Sequence, residues 1–408
     1  MSRVVRSLAF VLLFACAANA ATTNNDDSCD IAVLPAATLL LPYFEVDVTA
    51  PQASARTTLF TVVNTTNVPR IARVTLWTDL GYPIMNFNIF LTGYDVQSIN
   101  LFDVLVRGLV AGDCTLNGGL IPAPVLQSID DALTHGTLAS CGSAAIGLVH
   151  PRAIGYATID VVKSCGVTLP DTPAYYDELL YDNVLTGDYE TINPSQTAGN
   201  YAGGNPLVHI RAIPEGGAAG TAVATNLPFT FYDRYTPRTA RAMDRRQPLP
   251  ATFSARFIAG GPTAFDSEFR IWREGLIGID AACADYAKNL GSSMKVADVI
   301  RYDEHENPTV NPPACPRLTC QPLYFILPET SSSVSWHSML PPLSTSGDLG
   351  GWIYFNLNNA SSAAFSSPRH SQNWVVVSMS AEGRFSVMFD ATMLANGCTP
   401  APPAPPAQ

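Results

Sequence analysis

Charge is scarce in this 408-residue chain: Asp, Glu, Lys and Arg together make up 14%. Lysine is almost missing, with only Lys163, Lys288 and Lys295. What charge there is runs acidic, 34 Asp and Glu against 23 Lys and Arg, for a formal net of −11. An acidic chain is repelled by phosphate backbones and anionic lipid, so nucleic acid is not an expected partner. The 47% hydrophobic content excludes a disordered chain and is ample for a buried core. Beyond residue 17 no apolar run approaches the ~18 residues of a spanning helix, so the mature chain is expected to lack a transmembrane segment.

The usual catalytic signatures are missing too. The chain has no G-x-S-x-G nucleophile elbow, no H-E-x-x-H, no phosphate loop and no G-x-G-x-x-G. Its six histidines (135, 150, 209, 305, 337 and 370) are scattered, which suits packing, capping and surface roles.

What is present starts with a leader. Arg3 and Arg6 form a basic start, "LAFVLLFACA" (8–17) an apolar stretch, and "ANA" (18–20) a small-residue cleavage site. The competing reading lipidates Cys16, but Phe14 fits that pattern poorly. Cleavage after Ala20 removes Arg3 and Arg6, leaving 21 basic against 34 acidic residues, a net of −13. The expected location is secreted or periplasmic. Eight cysteines remain: Cys29, Cys114, Cys141, Cys165, Cys283, Cys315, Cys320 and Cys398. An even set in an exported chain reads as up to four disulfides. Zinc at Cys315 and Cys320 is disfavoured, because their C-x4-C spacing has no second pair or nearby His.

Alternating apolar and β-branched segments recur between Gly, Pro, Asn and Ser, the pattern of short strands. They include 58–64, 72–79, 85–92, 155–162, 206–212, 253–260, 267–274, 351–357, 373–381 and 384–391. Helical patterns are few. One spans 125–136, with Leu126, Ile129 and Leu133 on one face and Gly136 at its end; another spans 280–291, with Asp280 as N-cap.

Two strand pairs recur at a common offset. "ARVTLWTD" (72–79) matches "SEFRIWRE" (267–274), Trp77 falling on Trp272 at an offset of 195. "GYATIDV" (155–161) matches "GWIYFNL" (351–357), Gly155 falling on Gly351 at 196. The reading is two tandem copies of one β-domain, 29–233 and 251–396, joined by an Arg-rich linker, 234–250, and followed by a Pro/Ala-rich tail, 397–408. In the linker, Thr236 and Pro237 suit a helix start that would align Arg238, Arg241 and Arg245; solvated arginines paired to acidic neighbours are expected.

The fold class expected is all-β, with a few short helices in insertions. The strand skeleton around 57–101 resembles immunoglobulin-like β-sandwich modules of bacterial envelope proteins. The antibody-type Cys…Trp…Cys spacing is absent, Val62 and Val63 standing where a strand-B cysteine would be. The resemblance implies two tandem sandwiches and carries no function.

Strand parity makes a candidate surface. Val74 and Leu76 share one face while Arg73, Thr75 and Trp77 share the other; Phe269 and Ile271 lie opposite Glu268, Arg270 and Trp272. Likewise Tyr156 lies opposite Ala157 and Ile159, and Trp352 and Tyr354 opposite Ile353 and Phe355. If the paired strands correspond to C and F of an immunoglobulin-like sheet, Trp77 and Tyr156 in one copy, and Trp272, Trp352 and Tyr354 in the other, form outward aromatic faces. Such faces suit sugar rings or a protein partner. The alternative is that insertions 80–150 and 164–204, or the other copy, cover the rings as a second core layer.

The function expected is non-catalytic: an envelope or extracellular protein that binds a glycan or an envelope protein, or serves structurally. The alternative is an exported hydrolase, with glycans as one candidate substrate, built from loop carboxylates. No cofactor is called for, although Asp303, Glu304 and Glu306, or Asp182, Asn183, Asp188 and Glu190, offer oxygens for calcium without EF-hand spacing.

Overall fold

The computed structural model describes residues 29–110, 114, 119–194, 201–216, 225, 227–236, 243–261, 264–290, 294, 296–310, 332–335, 350–359, 371–381 and 385–398. The expected leader with Cys16, the cysteines 315 and 320, Arg238, Arg241 and the residues beyond 398 lie outside the described residues, as do His337 and His370.

Period-two alternation becomes strands throughout. The first half contains β1 (Thr38–Val46), β2 (Thr57–Asn64), β3 (Arg70–Thr78), β4 (Pro83–Leu91), β5 (Val96–Asn100), β6 (Ala153–Val162), β7 (Leu185–Ile192), β8 (Tyr201–Pro206) and β9 (Val208–Ile210). Short helices α1 (Leu101–Leu105) and α2 (Ala123–Thr134) lie between β5 and β6, and α3 (Pro173–Tyr176) follows β6. The second half contains β10 (Thr252–Ile258), β11 (Phe265–Arg273), β12 (Val296–Asp303), β13 (Pro308–Val310), β14 (Ser332–Ser335), β15 (Gly350–Asn359), β16 (Asn373–Ala381), β17 (Phe385–Asp390) and β18 (Thr392–Met393).

These strands make four antiparallel sheets, and the fold is all-β. The first half holds a five-stranded sheet, β4-β3-β6-β1-β9, and a four-stranded sheet, β5-β2-β7-β8. The second half holds β13-β12-β15-β10-β18 and β14-β11-β16-β17. Adding nine to every strand number of the first half gives the second half's orders strand for strand. Within each half the two sheets stack in a sandwich-like arrangement. Leu39, Leu41, Val74, Leu76 and Ile159 of one sheet meet Phe60, Val62 and Tyr189 of the other, and removing these side chains from water is the main driving force.

Strand β1 is absent from the expected list because Pro42 interrupts its apolar run. The register between β1 and β6 shifts between Leu41 and Phe44, a bulge that accommodates a residue without an amide donor. Helix α2 follows its pattern: Ile129 and Leu133 are buried, and Gly136 ends it at φ +65°. The 280–291 segment is instead a 3-10 helix over Cys283–Asn289 with Ala282 at its N-cap, Asp280 being left-handed at φ +59°.

Among the described residues three disulfides are made: Cys29–Cys398, Cys114–Cys165 and Cys141–Cys283. Two of them join the first half to the second, closing separations of 369 and 142 residues. Covalent bonds of this kind fit an extracellular or periplasmic setting. No helix among the described residues is long and apolar enough to cross a membrane.

The expected match of Trp77 with Trp272 is corrected. Trp77 lies on β3, next to the central strand of a five-stranded sheet, whereas Trp272 lies on β11 of a four-stranded sheet, the place that β2 occupies in the first half. The pairing of the two aromatic strands as neighbours therefore holds only in the first half, where β3 adjoins β6; β11 and β15 belong to different sheets. Gly155 and Gly351, by contrast, lie on β6 and β15, which hold the same central position.

The solvated linker is corrected as well. Arg245 is 1% exposed, with its guanidinium over the Tyr181 ring, and Arg246 is buried between Asp160 and Asp244 at 3.2 and 2.9 Å. Residues 245–247 pair antiparallel with 211–213, so Arg245 and Arg246 are enclosed rather than hydrated.

Candidate aromatic interface

Both faces of β3 are buried, because a second layer covers the outer one. Trp77 stacks on its cross-strand partner Tyr156 with ring centroids 5.3 Å apart, and its Nε1 donates to Thr158 Oγ1 at 3.0 Å. Tyr232 and Tyr235, from 227–236, close over Trp77 at 5.4 and 5.2 Å. Trp272 completes the cluster from the second half, 6.0 Å from Tyr156 and 5.6 Å from Tyr232, with Phe231 against it. The Tyr156 and Tyr232 hydroxyls bond at 2.6 Å and the Tyr235 hydroxyl donates to Gly81 O, so the three tyrosines are satisfied, whereas Trp272 Nε1 is buried with no hydrogen-bond partner among the described residues. Parity holds in that both tryptophans lie outside the inter-sheet cores. They are covered by 227–236 and by each other's half, and no ligand face remains there.

The outer face of β11 is part of the same junction. Arg270, 3% exposed, lies over the Tyr43 ring of β1 and donates to Thr191 Oγ1 at 2.9 Å. A buried cation next to an aromatic face is stabilised by the ring quadrupole.

Registers identify what stands at the corresponding place in the second half. In the first sandwich Trp77 pairs with Tyr156 across β3 and β6; in the second, Tyr302 pairs with Trp352 across β12 and β15. The glycines confirm this register. A Cβ at Gly155 would strike the Trp77 carbonyl and the Phe44 ring; one at Gly351 would strike the Tyr302 carbonyl and the Phe257 ring. Each glycine permits the same close approach of the neighbouring strand. The aromatic pair is thus retained with tryptophan and tyrosine exchanged.

The environments of the two pairs differ. Trp352 is 38% exposed against 1% for Trp77. The Arg256 guanidinium, itself exposed, sits 4.5 Å from the Trp352 ring centroid and pairs with it across β10 and β15. Ile258 is also exposed on this face. One row along, Tyr354 is 9% exposed, and its hydroxyl has no hydrogen-bond partner among the described residues. Burial raises the Tyr354 phenol above its usual range, helped by Asp298 and Tyr302, so it stays a neutral donor. Of the five expected site aromatics, Trp77, Tyr156 and Trp272 therefore meet in an enclosed junction. Trp352 and Tyr354 share a separate, partly open face with Tyr302 and Arg256, neither of which the sequence reading singled out.

Asp182, Asn183 and Asp303 of the acidic segments are engaged locally. Asp182 pairs with Arg70 at 3.1 Å, and Asn183 holds Ala212 through both its amide groups. Asp303 caps its own turn, accepting from the His305 and Asn307 amides at 2.8 Å. Among the described residues no three His, Cys, Asp or Glu side chains group to hold a metal ion. Asp188 and Glu190 do face a cleft of about 320 Å3 on the outer side of β5-β2-β7, with Asp103, Thr61, Ser98 and Asn100.

No protein-family model matches this chain, and neither a curated protein nor a solved structure matches it.

Proposed function

We propose that this is an exported, disulfide-braced protein of the bacterial envelope or extracellular space, that it acts by binding a glycan or a protein partner, and that its binding surface is the outer face of the second five-stranded sheet. One observation carries this reading. The same aromatic pair that is sealed in the first sandwich stands partly open in the second, beside an exposed arginine. Flat rings next to an exposed cation combine apolar contact with charge-assisted hydrogen bonding, the composition of binding anchors. An immunoglobulin-like module is supported by the crossed pairing of β1 with β6 in one sheet and β2 with β7 in the other, the arrangement of strands B/E and C/F.

Retention of the purified chain on isolated cell-wall glycan and on an envelope-protein fraction tests the reading, with Trp352→Ala and Tyr302→Ala alongside. The expected result is retention of the native chain on one of these and at least a tenfold loss for each variant at unchanged folding. Equal retention of the variants overturns it.

The 320 Å3 cleft favours a second reading, the hydrolase. Asp188 and Glu190 stand two residues apart on one strand, their Cα atoms roughly 7 Å apart, and both line the cleft, a carboxylate pair of the kind that glycoside hydrolysis uses. Glycan hydrolysis abolished by Asp188→Asn or Glu190→Gln would establish it; no turnover by the native chain would remove it.

A further inference from the structure

We infer that the open face around Trp352 docks a polypeptide turn that carries Phe or Tyr rings next to a carboxylate, supplied by a partner protein. The inference rests on the binding-face reading above and names its ligand class.

The molecule itself shows what such a face holds. On the first sandwich the aromatic pair Trp77–Tyr156 is capped by a turn bearing Phe231, Tyr232 and Tyr235. The rings of Tyr232 and Tyr235 lie 4.3 Å apart and act as one wedge. Its Tyr232 hydroxyl meets the Tyr156 hydroxyl, a polar contact that orients the wedge on the sheet. The second sandwich has the same pair in the same register, fixed by the same glycine contact. Among the described residues no segment covers it in that way: the chain after β18 runs instead to the Cys29–Cys398 disulfide.

One further observation favours peptide over an apolar ligand. Arg256 holds a cation against the Trp352 ring, where an incoming carboxylate would find a charge-assisted hydrogen bond. The capping turn of the first sandwich has this composition, Asp233 standing between Tyr232 and Tyr235.

A synthetic peptide with the sequence of residues 227–236, LPFTFYDRYT, is the probe. It is titrated, fluorescently labelled, against the oxidised full chain and read by anisotropy. Saturable binding is expected, weakened at least tenfold by Trp352→Ala and several-fold by Arg256→Gln, and lost when the peptide's Phe231, Tyr232 and Tyr235 are replaced by alanine. Trp352→Phe, which keeps a ring and disturbs folding less, should retain most of the affinity. Absence of saturation up to millimolar peptide, or binding indifferent to Trp352→Ala, overturns the inference. Glycan retention lost in Trp352→Ala without any peptide binding would overturn it while leaving the binding face intact. Peptide binding indifferent to Trp352→Ala, with glycan retention equally indifferent, removes both.

Discussion

Trp77→Ala and Trp352→Ala remove the same side chain from corresponding aromatic pairs, one sealed and one partly open. A tryptophan buries about 150–250 Å2, and at roughly 25 cal/mol per Å2 the sealed ring is worth about 4–6 kcal/mol. Trp77 also leaves a cavity among Tyr156, Tyr232 and Tyr235 and deprives Thr158 of its Nε1 donor. The realistic loss is about 4–5 kcal/mol, in the usual range for a buried aromatic. Trp352 keeps 38% of its surface in water. The same bookkeeping gives it about 2–4 kcal/mol, water fills the space it vacates, and the Arg256 contact adds only about 0.5 kcal/mol. A net loss of about 3 kcal/mol is expected. Guanidinium unfolding of the oxidised variants, followed by far-UV circular dichroism, reads both. Equal losses, or a larger loss at Trp352, would refute the assignment of one pair as core and the other as surface.

Asp390 gives a pH dependence of definite sign. Burial raises its carboxyl to about 6 despite donors from Trp374 Nε1 at 2.9 Å and Asn205 Nδ2 at 2.7 Å. A carboxyl that is harder to ionise folded than unfolded costs stability once ionised, so its penalty is absent below about pH 4 and grows as pH rises to about 6. Asp390→Asn should raise stability at pH 7 by about 1–3 kcal/mol and flatten the pH 4–6 region of a melting profile; a loss at pH 7 would contradict this. The Cys141–Cys283 bridge ties the 3-10 turn near residue 140 to the second half, and Cys141→Ser with Cys283→Ser should cost about 2–4 kcal/mol. Unchanged stability in denaturant would show that Tyr82, Tyr286 and the Asn289–Leu80 bond hold that junction without it.

Much of the fold is legible because sheet-forming alternation is local. Val74 and Leu76 against Thr75 and Trp77 mark two faces correctly, as do Phe269 and Ile271 against Arg270 and Trp272. What parity does not encode is the layer beyond a face. Residues 227–236 lie some 150 positions from Trp77, and nothing in "ARVTLWTD" announces that Tyr232 and Tyr235 will cap it. The tryptophan match failed for a related reason. Register, not residue identity, sets equivalence between sheets, and the two halves exchange Trp and Tyr within the pair. Gly155 and Gly351 were the better anchors, since close strand approach tolerates no side chain. Arg245 and Arg246 read as solvated because charge usually is; their enclosure depends on Asp160, Asp244 and Tyr181, which only the fold brings to them.

Hydroxyl-radical footprinting of the chain, free and retained on whichever of the cell-wall glycan or envelope-protein fraction holds it, tests the proposed binding face most directly. The account predicts that Trp352 and Tyr302 are oxidised in the free chain and protected when bound, while Trp77 and Trp272 are unmodified in both. Trp352 protected already in the free chain, or oxidised equally when bound, would contradict it.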